Sequence, residues 1–412
     1  MTEHDPRHAS TAPAPTGVDL DLRPHWSIDS SILYLNHGAF GAVPRRVQHL
    51  QKDFRFQMES EPVRFFGREL PRLLSRTRAE LGNFVGSSPE NLAMITNTTE
   101  GINAVLRSME LEPGDEILIT DHGYGACNNA VHYVARRAGA RVVVAPLPFP
   151  VDDPAQIVDA LIDAVTDRTR IALVDHITAF SAMVLPIEEI VDALRERGVE
   201  TLVDGAHAPG MIDLDLEALD AAYYVGNCHK WLCAPRGSAF LRVRDDLLDT
   251  VRPLAISHGA TLPTENSSRF HLEFDWTGTQ DPTAWLCIPE AIRFLPTLVP
   301  GGWAGIRERN RKIALHAREL LQQCSGANTL CPDEMVGFAA AVELPLLEGP
   351  PPNTPFEPDP LQARLFEEAG IEVPIFWILD PPRRLLRISV ALYNRLSDFQ
   401  RLGETLHELT DF

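Results

Sequence analysis

The sequence predicts an α/β protein. A doubly wound domain with a mostly parallel sheet, covered by helices on both faces, is followed by a smaller α+β domain at the C-terminal end. Two observations carry that reading. From about Pro71, short apolar runs of strand length alternate with segments of helical periodicity, the signature of strands separated by crossover helices. After about Pro289 the alternation gives way to one long helical segment, separate strands and a Pro-rich loop. At 412 residues the chain is longer than one typical domain, so two units are expected.

Taken in order, "LPRLLSRTRAELGNFVG" has apolar residues at helical spacing and closes on Gly86, a plausible helix end. "NLAMITNTTEGINAVLRSM" passes from an apolar strand through a polar Asn-Thr-Thr turn into a helix. The pattern then repeats. "DEILIT", "ARVVVAPL" and "TRIALVDHIT" read as strands, and "GACNNAVHYVARRAG", "PAQIVDALIDAVT" and "PIEEIVDALRERG" as the helices between and after them. "VETLVDGAHA", "AAYYVGNCHKW" and "GSAFLRV" follow as strands. In the C-terminal part, "GGWAGIRERNRKIALHARELLQQC" is a long helix, "GFAAAVELPL" and "LLRISVALYN" are strands, and "RLSDFQRLGETLHEL" is a helix. The domains are set at residues 26–290 and 291–412, behind a disordered lead-in over 1–25 that is rich in Pro, Ala and Thr. The loop 349–360, "GPPPNTPFEPDP", has a length usually associated with function or mobility.

Thirty-seven Lys and Arg against 57 Asp and Glu give a formal charge of −20, which disfavours nucleic acid and anionic membrane as partners. The apolar runs are far too short to span a bilayer. Six cysteines lie scattered, with no CxxC pair and no metal-ligand spacing, so neither a disulfide framework nor a metal centre is expected. A reducing cytoplasm fits this usage and the absence of a secretory leader pattern.

Ligands of open parallel sheets bind outside the carboxyl ends of the strands. Five polar groups sit there: Asn97-Thr98-Thr99, Asp121 to Tyr124, Asp175-His176, Asp204 with His207, and His229-Lys230. "NTTEG" opens a helix with hydroxyls and free N–H groups, which suits a phosphate; the plain alternative is a threonine cap without a ligand. Asp204 alone would be read as a turn cap. Lys230, 26 residues on, lies in "YYVGNCHKWLCAPRG", where little exposed surface remains for a salt bridge. A desolvated lysine loses affinity for its proton, and a neutral amine condenses with an aldehyde. Such a lysine, an acid able to pair with a pyridinium nitrogen and a phosphate turn are together what pyridoxal 5′-phosphate requires.

With these residues the sequence resembles the class V aminotransferase family of fold-type I pyridoxal phosphate enzymes over roughly residues 30–410, and within it the isopenicillin N epimerase-like branch. The matching stretches are "YLNHGAFG", "TNTTEGINAVL", "VDGAHA", "GNCHKWLCAPRG", "WTGTQDPTAWL" and "RISVALYN", in the family's order. The resemblance implies that Lys230 carries the cofactor, Asp204 holds its ring nitrogen protonated, His207 sits near the phenolate oxygen or the ring edge and Tyr124 stacks on the ring. Asn97, Thr98, Thr99, Asn227 and His229 would surround the phosphate. Gly278 and Thr279 would reach the phosphate of a neighbouring subunit, making a homodimer part of the site. Arg387 would hold the substrate carboxylate, with Asn36 and His37 as further substrate contacts; a structural histidine is the alternative for His37.

Two departures from the family pattern stand out. No cysteine lies between Ile371 and Arg387, where a persulfide-forming desulfurase carries its nucleophile; Cys331 is the nearest upstream. Ala179 replaces the serine or asparagine usual after the His-Ile-Thr step. The implied activity is bond breaking at Cα of an amino acid or a cysteine conjugate, by epimerisation, C–S β-elimination or decarboxylation with oxidative deamination. A non-catalytic binding module is the remaining alternative, disfavoured by the retained Asp204 and Lys230.

Overall fold

The structure, a computed structural model, describes residues 20–265, 267–346, 351, 354, 357–379 and 381–410. Twelve strands occur among them. β1 is Leu33–Tyr34, β2 Leu92–Ile95, β3 Glu116–Thr120, β4 Arg141–Ala145, β5 Thr169–Asp175, β6 Glu200–Asp204, β7 Tyr223–Asn227 and β8 Ala239–Val243. β9 is Ala339–Leu344, β10 Ile371–Glu372, β11 Ile375–Leu379 and β12 Pro382–Ser389.

Seven strands form the large sheet in the order β2-β8-β7-β6-β5-β3-β4. β4, β3, β5, β6 and β7 are mutually parallel, and β8 runs antiparallel between β7 and β2. Every residue of β2, β3, β7 and β8 is buried, as strands with helices on both faces must be, whereas the edge strand β4 leaves Val144 exposed. The helices Thr98–Ser108 and Gly125–Ala138 supply residues to one apolar layer with Ile102, Val105, Val131 and Ile119; Ile190, Leu194, Met94 and Val203 belong to the other. The mostly parallel α/β fold expected from the alternation is therefore present, and so is a small antiparallel sheet near the C-terminal end, β11-β12-β9. The long helix Gly302–Ser325 packs on β9 and on the helix Leu396–Leu409.

Three local expectations differ. The boundary near residue 290 falls inside the helix Ile288–Phe294, which packs on the helix Leu70–Val85; its apolar face leaves no linker there. Residues 20–25 belong to the ordered chain: Leu22 is buried, and Arg23 donates to the carbonyls of Asp29 and Ile32. Residues 1–19 of the expected lead-in and half of the loop 349–360 lie outside the described residues. No element was expected before Pro71, yet Arg45–Ser60 is a helix. Its contact stripe, Val47, Leu50, Phe54 and Met58, is thin and interrupted by charged residues.

The N-terminal segment positions the site. β1 pairs in parallel with β10, placing residues 36–41 between the two sheets. Gly41 has φ 67°, and a Cβ there would stand 1.9 Å from the carbonyl oxygen of His229. Only glycine permits this approach.

Candidate active site

The carboxyl ends of β5, β6 and β7 bring three titratable groups together, Asp175, Asp204 and Lys230. Lys230 sits in the turn after β7, whose geometry depends on Cys233 at φ 57° and on the Cys233 N–H donating to the Lys230 carbonyl at 3.0 Å. The Lys230 Nζ lies 2.9 Å from Nε2 of His207. Burial lowers its pKa to about 8, although Asp204 pulls the other way. A tenth or more of the lysine is therefore free amine at neutral pH, as the sequence argument requires.

Asp204, the last residue of β6, is buried. Its Oδ1 accepts from the Ala206 N–H at 3.0 Å and its Oδ2 from the Cys127 thiol at 3.3 Å. Burial raises its pKa, against those two hydrogen bonds and Lys230. In the β5–β6 register Asp175 stands directly beside it. Burial first, and the Asp204 charge second, hold Asp175 well above the usual carboxylate range, so Asp175 stays protonated.

The turn after β2 is built by its own side chains. Asn97, not a threonine, is the cap of the helix Thr98–Ser108: its Oδ1 accepts from the Glu100 N–H at 2.9 Å, because both threonines already lie within the helix. The Glu100 carboxylate accepts in turn from the N–H and hydroxyl of Thr96, at 2.7 and 2.5 Å. The Thr98 N–H goes to Asn227 Oδ1 at 3.1 Å, tying this turn to the end of β7. His229 donates from Nδ1 to the Ser238 carbonyl at 3.0 Å, and burial lowers its pKa to about 4. Its Nε2 is then an acceptor until a neighbouring anion favours its protonation. Tyr124 stands at the N-cap position of the helix Gly125–Ala138 and is 43% exposed. Burial, Cys127 and Asp204 raise the pKa of its phenol, so it remains a proton donor.

Arg387 lies on β12 and is buried. Nη1 donates to the carbonyl of Ala179, Nη2 to Asn36 Oδ1 at 3.3 Å, and the guanidinium lies over the Phe376 ring at 4.9 Å. Its Nε has no acceptor, and no carboxylate pairs with it among the described residues. Burial lowers its pKa to about 10, which leaves it charged at neutral pH. The Ala179 departure is thereby explained in part: the contact to Arg387 comes from the backbone, which any side chain supplies. Ser181, two residues on, provides a buried hydroxyl shared with Thr178 and His122.

His37 is placed differently from a substrate contact. Its Nε2–H donates to the Lys230 carbonyl at 3.0 Å and its Nδ1 accepts from the Tyr393 hydroxyl at 2.8 Å, so both nitrogens are used and the ring is buried. Asn36 links Arg387 to Glu372. Gly278, at φ 138°, and the exposed Thr279 lie on the loop after the helix Arg269–Phe274, outside this hydrogen-bonded cluster.

Cys127, Trp231, Phe376 and Tyr393 escaped the sequence reading. Cys127 and Trp231 flank motif residues but look like ordinary core positions; Phe376 and Tyr393 reach the site from the small domain, for which spacing carries no signal.

The donor set fits pyridoxal 5′-phosphate. Asp204 is a buried acid whose donors among the described residues are one N–H and a weak thiol, which leaves capacity for a ring N–H. The Thr99 N–H, at the positive end of the helix dipole, has no acceptor in the described chain. Beside them stands an amine of lowered pKa.

Residues 33–343 match the family described as aminotransferase class-V. The chain is 35% identical to isopenicillin N epimerase of Streptomyces clavuligerus, over 95% of this chain and 98% of that one. It is 30% identical to the probable chloroplastic L-cysteine desulfhydrase of Arabidopsis thaliana, over 92% and 83%. In fold it is similar to the cysteine desulfurase CsdA of Escherichia coli, with a TM-score of 0.77 at 20% identity, covering 94% of this chain and 96% of that one. With its fold, its donor set and these relatives, the chain belongs to the class V aminotransferases, a pyridoxal phosphate-dependent family of amino-acid enzymes.

Proposed function

We propose that the chain breaks one bond at Cα of a bulky, sulfur-bearing α-amino acid, most closely by an epimerisation of the isopenicillin N kind. The observation that carries this reading is Arg387: a buried guanidinium with an unpaired Nε, no carboxylate partner among the described residues and a charge within range of Lys230 calls for an anionic ligand. A substrate carboxylate meets its fork bidentately.

When bound, the cofactor draws electrons away from Cα. Lys230 holds it and then moves the Cα proton, Asp204 keeps the ring nitrogen protonated, and Tyr124 covers the ring and offers a second proton. Arg387 orients the substrate by its carboxylate, which determines the bond aligned for cleavage. Asn97, Thr98, Thr99, Asn227 and His229 receive the phosphate. His37 supports the Lys230 turn. Gly278 and Thr279 serve the site of a second subunit; exposed Phe40, Phe56, Val63 and Ile256 favour such a homodimer. Six free cysteines favour a cytoplasmic setting, and no helix among the described residues is long and apolar enough to cross a membrane.

A second reading is C–S β-elimination of a cysteine conjugate, favoured by the desulfhydrase relatives. It needs Lys230 and an acid for the leaving sulfur, but no return of a proton to the opposite face. Decarboxylation with oxidative deamination would instead place the carboxylate in the cleaved position. The chain lacks a cysteine between Ile371 and Arg387, so persulfide formation is not proposed.

The test is product analysis in deuterated water with the penicillin-type tripeptide and S-substituted cysteines. Deuterium at Cα of an otherwise intact substrate supports epimerisation. Loss of the sulfur fragment supports elimination, and loss of carbon dioxide supports decarboxylation. Rapid sulfide release from plain cysteine overturns the bulky-substrate reading.

A further inference from the structure

A donor chain runs into Lys230 from behind. The Trp231 indole nitrogen lies 3.2 Å from Nδ1 of His207, whose Nε2 lies 2.9 Å from the Lys230 Nζ. An indole N–H can only donate, so Nδ1 of His207 must accept. A neutral imidazole with its lone pair on Nδ1 carries its proton on Nε2, and that proton points at Lys230. An ammonium has no lone pair to receive it; a free amine has one.

We infer that Trp231 is a positioning residue that fixes the Nε2–H tautomer of His207 and thereby biases Lys230 toward the hydrogen-bond-accepting free amine. For Lys230 to become charged in this geometry, His207 must move its proton to Nδ1. That would leave the buried indole N–H facing another N–H, both unsatisfied.

The indole cannot easily turn away. Trp231 is buried, Phe338 packs edge-on against it at 5.7 Å, and Gly38 lies so close that an added Cβ would stand 3.3 Å from its ring. Gly210, at φ 89°, lies against the Trp231 backbone, where a Cβ would approach its carbonyl oxygen to 2.8 Å. The other charged or titratable groups facing Lys230 are Asp204 and Asp175 from the strand ends, Cys127 from the helix Gly125–Ala138, and Arg387 from β12; His229 and His37 adjoin the turn. Asp204 favours the ammonium and Arg387 the amine. Burial holds His207 well below its ordinary pKa, so the ring is neutral, as the tautomer argument requires.

This inference deepens the reading of Lys230 as the cofactor lysine, and its test is independent of turnover. In the full-length, cofactor-stripped protein with ¹⁵N-labelled histidine, the His207 ring signals, assigned by their loss in His207→Gln, should show the proton on Nε2. A proton on Nδ1 overturns the inference, whatever any variant does. Pulse acetylation read by peptide mass spectrometry gives the pH midpoint of Lys230 reactivity. Trp231→Phe keeps the ring but removes the donor, and should raise that midpoint by about one pH unit, an approximately tenfold loss of labelling below it. An unchanged midpoint in a folded Trp231→Phe protein overturns the inference; if that variant does not fold, the wild-type tautomer decides. Failure of the cofactor-lysine reading looks different: borohydride reduction of the holoenzyme would then mark a peptide without Lys230.

Discussion

The backbone carbonyl of Ala179 accepts a hydrogen bond from Nη1 of Arg387, across 208 positions of sequence. The first residue belongs to the loop after β5 of the large sheet and the second to β12 of the small one. This contact and the Asn36 amide hold the guanidinium, and the Phe376 ring covers its face. The guanidinium is therefore fixed in place by the chain itself.

Replacing Arg387 with lysine keeps the charge but loses the fork. With the proposed substrate, kcat/KM should fall by an amount equivalent to at least ~2 kcal/mol of transition-state stabilisation. The cofactor spectrum should be retained. A loss of less than threefold would remove Arg387 from the carboxylate site.

The reconstituted protein should be yellow, bleached by borohydride, with the label on the Lys230 peptide. Asp204→Ala should still fold and yet lose most activity, because the ring nitrogen would no longer be held protonated. Activity within a few-fold of wild type would reduce Asp204 to a structural acid. Near-wild-type circular dichroism separates the two outcomes from misfolding.

Thr279→Ala should weaken cofactor retention on dialysis. If Thr279 serves the neighbouring subunit, mixing Thr279→Ala with Lys230→Ala should restore part of the activity, since one of the two sites in the hybrid keeps both residues. Lack of any rescue, with hybrids shown to form, places the residue outside the shared site.

Stability should fall on acidification. Burial lowers the pKa of His37 to about 4, of His176 to about 3 and of His229 to about 4, all below the unperturbed 6.5. Between pH 6.5 and 4 the unfolded chain binds protons that the folded chain refuses, so unfolding free energy drops with pH by on the order of 1 kcal/mol per unit for each histidine. Urea titrations of the cofactor-free protein should show this slope, and His37→Gln should flatten it. An equal slope in the variant would mean that His37 does not titrate this way.

Gly41→Ala places a methyl group 1.9 Å from the His229 carbonyl at positive φ. We expect a cost on the order of 3 kcal/mol and displacement of the Lys230 turn. Urea midpoints report the first effect, and weaker cofactor retention the second. An unperturbed protein would show that the segment 37–41 does not brace the turn.

The alternation of strand-length and helix-length apolar runs determined the α/β class, and the polar residues at the strand ends named Asp204, Lys230, Tyr124 and the turn at Asn97. Those features are local: a strand buried on both faces is apolar throughout, and the residue after it is where a ligand can be met. The helix Arg45–Ser60 was not legible, because its four contact residues are outnumbered by charged ones on the exposed faces. Nor was the work of His37, whose partners Tyr393 and the Lys230 carbonyl lie 356 and 193 positions away. The same holds for Cys127 beneath Asp204, the neutral Asp175 beside it and the unpaired Nε of Arg387. Partner choice, tautomer and charge state depend on burial and on which distant groups the two sheets bring within 3 Å of one another, and only the tertiary structure decides these.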